Sequence, residues 1–205
     1  MRGWRSIRAA IGPDKILSIK LNSADFQRGG FDEAESLSVL RALEAEGIDL
    51  VEISGGSYEN AVMMGQDVSV RESTKAREAY FLRYAEQARA VTGAPLMLTG
   101  GFRSHRGMLA AVVDGAVDVV GLGRPMCVDP ELPTRLLDGS AEPSVLPPRR
   151  VGVRELDAIL EVFWYTQQLH RIAAGLDPDP ARGNWRALLD AVWSNGLDTF
   201  RRKRS

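Results

Sequence analysis

The sequence predicts an α/β protein built on a parallel sheet, and three observations carry that expectation. Short apolar runs of five or six residues, the usual strand length, alternate with longer stretches of helical periodicity. Each run is followed by a loop rich in glycine or small polar residues. The order strand, helix, strand, helix, strand, helix, strand specifies βαβ units with right-handed crossovers.

Taken in order, the N-terminal MRGWRSIRAAIGPDK carries basic residues but no apolar core, so it does not read as a secretion signal. The first expected strand is Ile16-Leu17-Ser18-Ile19-Lys20-Leu21. Residues 33–46 place Ala34, Leu37, Leu40 and Leu43 at spacings of three, with Asp32 as N-cap and Gly47 as the stop. Leu50-Val51-Glu52-Ile53-Ser54 is the second strand. A helix is expected over 74–92, through Ala76, Tyr80, Tyr84, Ala88 and Val91, closed by Gly93. The third strand is Pro95-Leu96-Met97-Leu98-Thr99, a short helix covers 105–114, and the fourth strand is 118–123. These strands look mostly apolar, which predicts a sheet covered on both faces. The proline-rich 139–150, GSAEPSVLPPRR, reads as a linker that divides 1–150 from a helical extension over 151–205. That extension holds a helix over 154–173 and a last one from Trp185 to about Leu197.

Composition narrows the function classes. With 44% hydrophobic and 26% charged residues the chain is ordinary for a globular protein, and a net charge of −1 favours neither nucleic acid nor an anionic membrane as partner. The basic RRKRS at 201–205 reads as a solvated terminus. Cys127 is alone, and His105 and His170 are too few for a histidine-based metal centre. No apolar run approaches the roughly 20 residues that span a bilayer. A reducing, cytoplasmic setting and a small-molecule substrate are the expectation.

Chemistry concentrates at the strand ends. In a parallel α/β sheet all the loops after the strands leave one edge, where ligands bind. Thr99-Gly100-Gly101 lets backbone N–H groups approach an anion with no Cβ in the way. Gly123-Arg124 adds a second open backbone and a guanidinium able to grip phosphate bidentately. Glycines of this kind also serve plain tight turns. Two such loops on successive strands, one running directly into Arg, favour phosphate. Lys20 lies inside an otherwise hydrophobic strand, where a charge is costly unless paired. It reads equally as an anion-holding or Schiff-base lysine and as a lysine that reaches solvent at the strand end.

At this level the residues resemble the old yellow enzyme family of flavin oxidoreductases. Ile19-Lys20-Leu21-Asn22-Ser23-Ala24-Asp25-Phe26 is similar to the family's fifth barrel strand and its loop, and Glu52-Ile53-Ser54-Gly55-Gly56 to the sixth. Thr99-Gly100-Gly101-Phe102-Arg103 resembles the seventh, and Gly121-Leu122-Gly123-Arg124-Pro125 the eighth. Arg77-Glu78-Ala79-Tyr80-Phe81 and the Asp129-Pro130-Glu131-Leu132-Pro133 turn also fit, and the resemblance covers nearly all of the 205 residues.

The resemblance implies a partial (β/α)8 TIM barrel, strands five to eight with their helices, plus a C-terminal helical extension. It implies FMN as cofactor and NADH or NADPH as electron donor, reducing an activated alkene or similar acceptor. Lys20 stands where the family sets a basic residue against the flavin pyrimidine edge, and Gly100, Gly101, Gly123 and Arg124 where it holds the FMN phosphate. Many relatives use Arg at the Lys20 position; Lys keeps the charge but loses the planar fork. Four strands are half of the eight that close a barrel. A homo-oligomer or a separate N-terminal half is therefore an expected partner. A non-catalytic half-barrel that binds a phosphorylated ligand is the alternative. A Schiff-base lyase using Lys20 is a third reading.

Overall fold

A computed structural model of the chain describes residues 2–25, 28–54, 82–100, 102, 104–143, 146, 149, 151–152, 154–190 and 193. It divides into two compact units, Met1–Leu122 and Gly123–Ser205, taken here one at a time.

Among the described residues the first unit holds four strands: β1 (Ser18–Asn22), β2 (Leu50–Ser54), β3 (Leu96–Thr99) and β4 (Val119–Gly121). All are parallel and lie in the order β1-β2-β3-β4. An order that follows the chain belongs to a barrel-type sheet, since a doubly wound sheet reverses at a switch point. Its helices are α1 (Arg2–Ile11), α2 (Glu33–Ala45), α3 (82–89 as described) and α4 (His105–Val113).

Local chemistry explains the helix limits. Asp32 caps α2 by accepting from the Glu35 N–H (2.8 Å) while Glu35 accepts from the Asp32 N–H (3.0 Å), a reciprocal capping box. Gly47 ends it at φ 73°, in the left-handed region that favours glycine. Ser104 caps α4 by accepting from the Gly107 N–H (3.1 Å). The N-terminal stretch forms α1. Trp4, Ile7, Arg8 and Ile11 recur at helical spacing, and Gly12-Pro13 follows as a stop. Trp4 Nε1 donates to the Glu46 carbonyl (3.2 Å) and Arg5 pairs with the Glu46 carboxylate, tying α1 to the end of α2.

Contrary to the expectation of strands covered on both faces, the sheet is two-sided. Val51, Ile53, Leu96 and Leu98 are at most 1% exposed and form the core with Leu40, Leu43, Tyr84, Ala85, Ala88, Met108 and Ala111 of the helices. The opposite face carries Ser18, Lys20, Asn22, Glu52 and Thr99, with Leu50, Met97 and Val119 between them. The strands therefore alternate, as β1 shows in Ser18-Ile19-Lys20-Leu21-Asn22.

Two carboxylates staple the N-terminal edge of the sheet in the same way. Asp49, just before β2, accepts from the Leu17 N–H (2.7 Å) and pairs with Arg8 of α1. Asp118, just before β4, accepts from the Leu96 N–H (2.8 Å) and pairs with Arg89 at the end of α3. In each case the backbone N–H first, and then the guanidinium, holds the carboxyl below the usual aspartate range. At the other end of β4, Gly121 has no room for a side chain. A Cβ there would lie 2.9 Å from Thr99 Cβ and 2.6 Å from Met97 Cε, and closer still to Thr99 Oγ1.

The second unit opens with a 3-10 turn (Arg124–Cys127), then α5 (Leu132–Leu137), α6 (Arg154–Ala173) and α7 (184–190 as described). Leu160, Trp164, Ala187 and Leu188 form its core, with Val128, Leu146, Val151 and Tyr165 against them. The Arg149 guanidinium lies 3.8 Å from the centre of the Trp164 ring. The division between units precedes the proline-rich 139–150, and Leu146 and Arg149 of that stretch are bound into the second unit. Trp164 Nε1 donates to the Arg182 carbonyl (3.0 Å), and Gln167 Nε2 to that of Ala187 (2.6 Å), so the α6–α7 connection is held by side chain to backbone bonds.

Gly121→Ala is expected to destabilise the protein by about 1–3 kcal/mol, through overpacking against Thr99. In chemical denaturation the pair Gly121→Ala, Thr99→Ala should cost less than the two changes summed. Because folding depresses the Asp49 and Asp118 pKa values, their contribution is full above the unfolded aspartate value of about 3.9 and is lost as pH falls through the lower folded values. Thermal melts between neutral and acid pH should show a shallower acid loss in Asp118→Asn than in the parent chain.

Candidate functional site

The parallel order gathers the C-terminal ends of β1, β2, β3 and β4 on one edge of the first unit, as expected for the loops that follow them. The loop after β1 is built by side chains. Asp25 accepts from Asn22 Nδ2 (3.0 Å) and from the Phe31 N–H (3.2 Å), and its own N–H donates to the Phe31 carbonyl (2.9 Å). Ser23 is buried and donates its N–H to the Ser54 carbonyl (2.6 Å), fastening the loop to β2. Ser36 Oγ donates to the Asn22 carbonyl (2.7 Å) and so accepts from the Tyr84 hydroxyl (2.6 Å). Burial raises the Tyr84 phenol, and Tyr84 is a packing and anchoring residue.

Lys20 lies on the open face of the sheet and is paired. Its Nζ donates to Glu52 Oε1 at 2.8 Å, with 56% of the Lys20 side chain and 23% of the Glu52 side chain exposed. The register sets Lys20 directly beside Glu52 on the neighbouring strand. Partial burial pushes the Glu52 carboxyl up, but the Lys20 ammonium and the Thr99 hydroxyl outweigh it, and its pKa lies below the usual carboxylate range. Thr99 Oγ1 is itself buried and closes no hydrogen bond of normal geometry. A Schiff-base lysine is activated by desolvation or a neighbouring cation. Lys20, half exposed against a carboxylate, has neither among the described residues.

Gly100 follows Thr99 at φ 96°, a conformation that favours glycine, and a Cβ there would meet nothing within 4 Å. Among the described residues, nothing fills the space a side chain would take there. Two strand spacings separate β1 from β3, so Lys20 stands about 10 Å across the sheet from the β3 end. Gly101 lies outside the described residues, as do Gly55, Gly56, Tyr58, Tyr80 and Arg103. His105 is the first residue of α4.

In the second unit, Gly123 adopts φ −104° and ψ −93° and leaves open space where a Cβ would be. Arg124 starts the 3-10 turn, and its Nη1 lies 3.4 and 3.5 Å from the two carboxylate oxygens of Glu161. Burial raises the Cys127 thiol, which disfavours a thiolate.

Glu161 was not marked by sequence reasoning, and Glu52 and Thr99 entered it only as members of the Glu52–Gly56 and Thr99-Gly100-Gly101 motifs, with no role for their side chains. Glu52 could have been found by aligning β1 with β2 in parallel register, which sets the two charges side by side. Nothing in the sequence pairs Arg124 with Glu161. Among the described residues no three His, Cys, Asp or Glu could share a metal ion, and no helix is long and apolar enough to cross a membrane.

Comparison with known proteins agrees with this architecture. Residues 4–142 match the model of the NADH:flavin oxidoreductase / NADH oxidase family. A NADH-dependent flavin oxidoreductase of Aspergillus parasiticus is 39% identical over 154 residues, covering 72% of this chain and 33% of that protein. The NADH oxidase of Thermoanaerobacter brockii is 25% identical over 135 residues, covering 66% and 20%. Among solved structures, a 2-naphthoyl-CoA reductase complex superposes with a TM-score of 0.57 at 28% identity, over 66% of this chain and 20% of its own. The chain thus spans about a third or less of these proteins.

Replacing Lys20 by Met should change stability by no more than about 1 kcal/mol, because an exposed ion pair contributes little. Denaturant titration of Lys20→Met checks this, and a larger loss would make the lysine structural.

Proposed function

The chain belongs to the NADH:flavin oxidoreductase / NADH oxidase family, and from that premise we propose that it supplies the phosphate-holding half of an FMN site in an NAD(P)H-dependent reductase. The single observation that carries the proposal is Gly100. It stands directly beyond β3 at φ 96°, with open space over its backbone, beside a sheet face whose paired charge is Lys20.

The residues present fit the cofactor. Gly100 of the first unit offers its backbone N–H to phosphate oxygens, and Gly101, the next residue in the sequence, is assigned the same role. In the second unit Gly123 offers the same, and Arg124 a guanidinium with its Nε and Nη2 unengaged by any described residue. Lys20 Nζ is a donor about 10 Å across the sheet from the β3 end, a separation suited to an elongated ligand with phosphate at one end and an electron-accepting ring at the other. Its positive charge would stabilise negative charge on the ring edge, while Glu52 holds the ammonium in place and moderates its field. FMN, when bound, supplies the hydride acceptance and delivery that no side chain here performs.

Four strands make half of a closed eight-stranded barrel. The proposal therefore includes a complementary half, from a longer chain, a separate chain or a second copy. That half would bring the contacts to substrate and nicotinamide. Reduction of an activated alkene or a similar small acceptor is the reaction proposed for the assembled protein.

The test is the visible spectrum of purified protein after FMN is added and the excess removed. Retained flavin absorbance, lost at least about tenfold in affinity on Arg124→Ala, is the expected outcome. A colourless protein, alone and with its complementary half, would count against the assignment.

A further inference from the structure

We propose that Glu161 of α6 is a positioning residue for Arg124, turning the guanidinium so that its unoccupied edge meets phosphate. The inference rests on the reading of Arg124 as a phosphate ligand, and it concerns the second unit alone. Arg124 meets Glu161 through one nitrogen only: Nη1 stands 3.4 Å from Oε1 and 3.5 Å from Oε2. A guanidinium carries five N–H donors in a rigid plane. A carboxylate astride Nη1 leaves the edge formed by Nε and Nη2, which has the spacing of two oxygens of one phosphate. Glu161 therefore grips the group from the side and does not plug it.

The surroundings favour the same role. The Glu161 side chain is 15% exposed and that of Arg124 42%, so the carboxylate is the fixed partner and the guanidinium the accessible one. The position one helical turn beyond Glu161 is Tyr165, half-buried against the Trp164 core. Burial raises the Tyr165 phenol, and Arg124, Glu161, Arg149 and Cys127 all act on it electrostatically. Arg149 is engaged over the Trp164 ring, which among the described residues leaves Arg124 as the cation paired with Glu161. Glu161 lies beyond residues 4–142, the stretch that carries the family pattern, so the positioning group comes from the C-terminal extension. The contact is long for a charge-assisted bond. An arginine held this way keeps the freedom to tighten onto a dianion.

The experiment has two readouts on the full chain. First, 15N spectra of arginine Nε–H groups, with Arg124→Lys to identify the resonance, compare the parent with Glu161→Ala. Loss of hindered rotation at Arg124 is expected, and an unmoved resonance overturns the proposal whether or not flavin binds. Second, affinities for FMN and for riboflavin, which lacks the phosphate, are measured in Glu161→Ala, Glu161→Gln, Arg124→Ala and the Arg124→Ala, Glu161→Ala pair. FMN affinity is expected to fall about fivefold in Glu161→Ala and to be largely restored in Glu161→Gln, whose amide oxygen still accepts. Riboflavin affinity should not move, and Glu161→Ala should add nothing once Arg124 is gone. An equal loss for riboflavin, or a full effect in the Arg124→Ala background, would show a structural role and overturn the proposal. Failure to take up FMN both alone and with the complementary half would sink the proposed function, while the arginine spectrum would still decide the role of Glu161.

Discussion

A parallel sheet laid down in chain order can be crossed by right-handed connections on one face only, and the character of each strand follows from that constraint. The covered face must exclude water, and Val51, Ile53, Leu96 and Leu98 are fully buried there. The other face is released from that demand. It can carry Lys20 beside Glu52, a pair that would be costly if fully buried. The charge that would serve a ligand is thus confined to the face that none of the described helices claims.

The two edges of the sheet divide the work as sharply as the two faces. At the N-terminal edge, Asp49 and Asp118 each join a neighbouring strand's backbone to an arginine contributed by a preceding helix. These contacts hold the strands in register. At the C-terminal edge the first unit carries Gly100 and a loop fastened by Asp25 and Ser23. Barrel enzymes show the same division, with conservation at one end reading as stability and at the other as chemistry.

Much of this was legible before any coordinates. The four strands and α2, α4 and α6 fall close to where apolar runs, the Asp32 cap and the glycine stops put them. That the C-terminal ends of β3 and β4 share one edge could be read from connectivity alone. Misread was the alternation within β1 and β2. Lys20 and Glu52 look like lone charges in apolar runs until the register pairs them, and pairing across a sheet is invisible to a reading along the chain. Helix α1 was hidden by a question about leader peptides, although Trp4, Ile7, Arg8 and Ile11 carry the helical period. Glu161 is separated from Arg124 by 37 positions, and only the folding of α6 onto the 3-10 turn reveals the pair.

The repeated aspartate staple also bears on how the chain assembles. Each one closes between strands joined by a single helical crossover: Ser18 faces Leu50, and Met97 faces Val119. Pairings between near neighbours in sequence carry a small loop-closure cost and form fast. The join between β2 and β3, where Val51 meets Leu96, spans the longest connection in the sheet. Two strand–helix–strand modules, each locked by its own carboxylate, would then form early. Their docking across that long connection would set the folding rate.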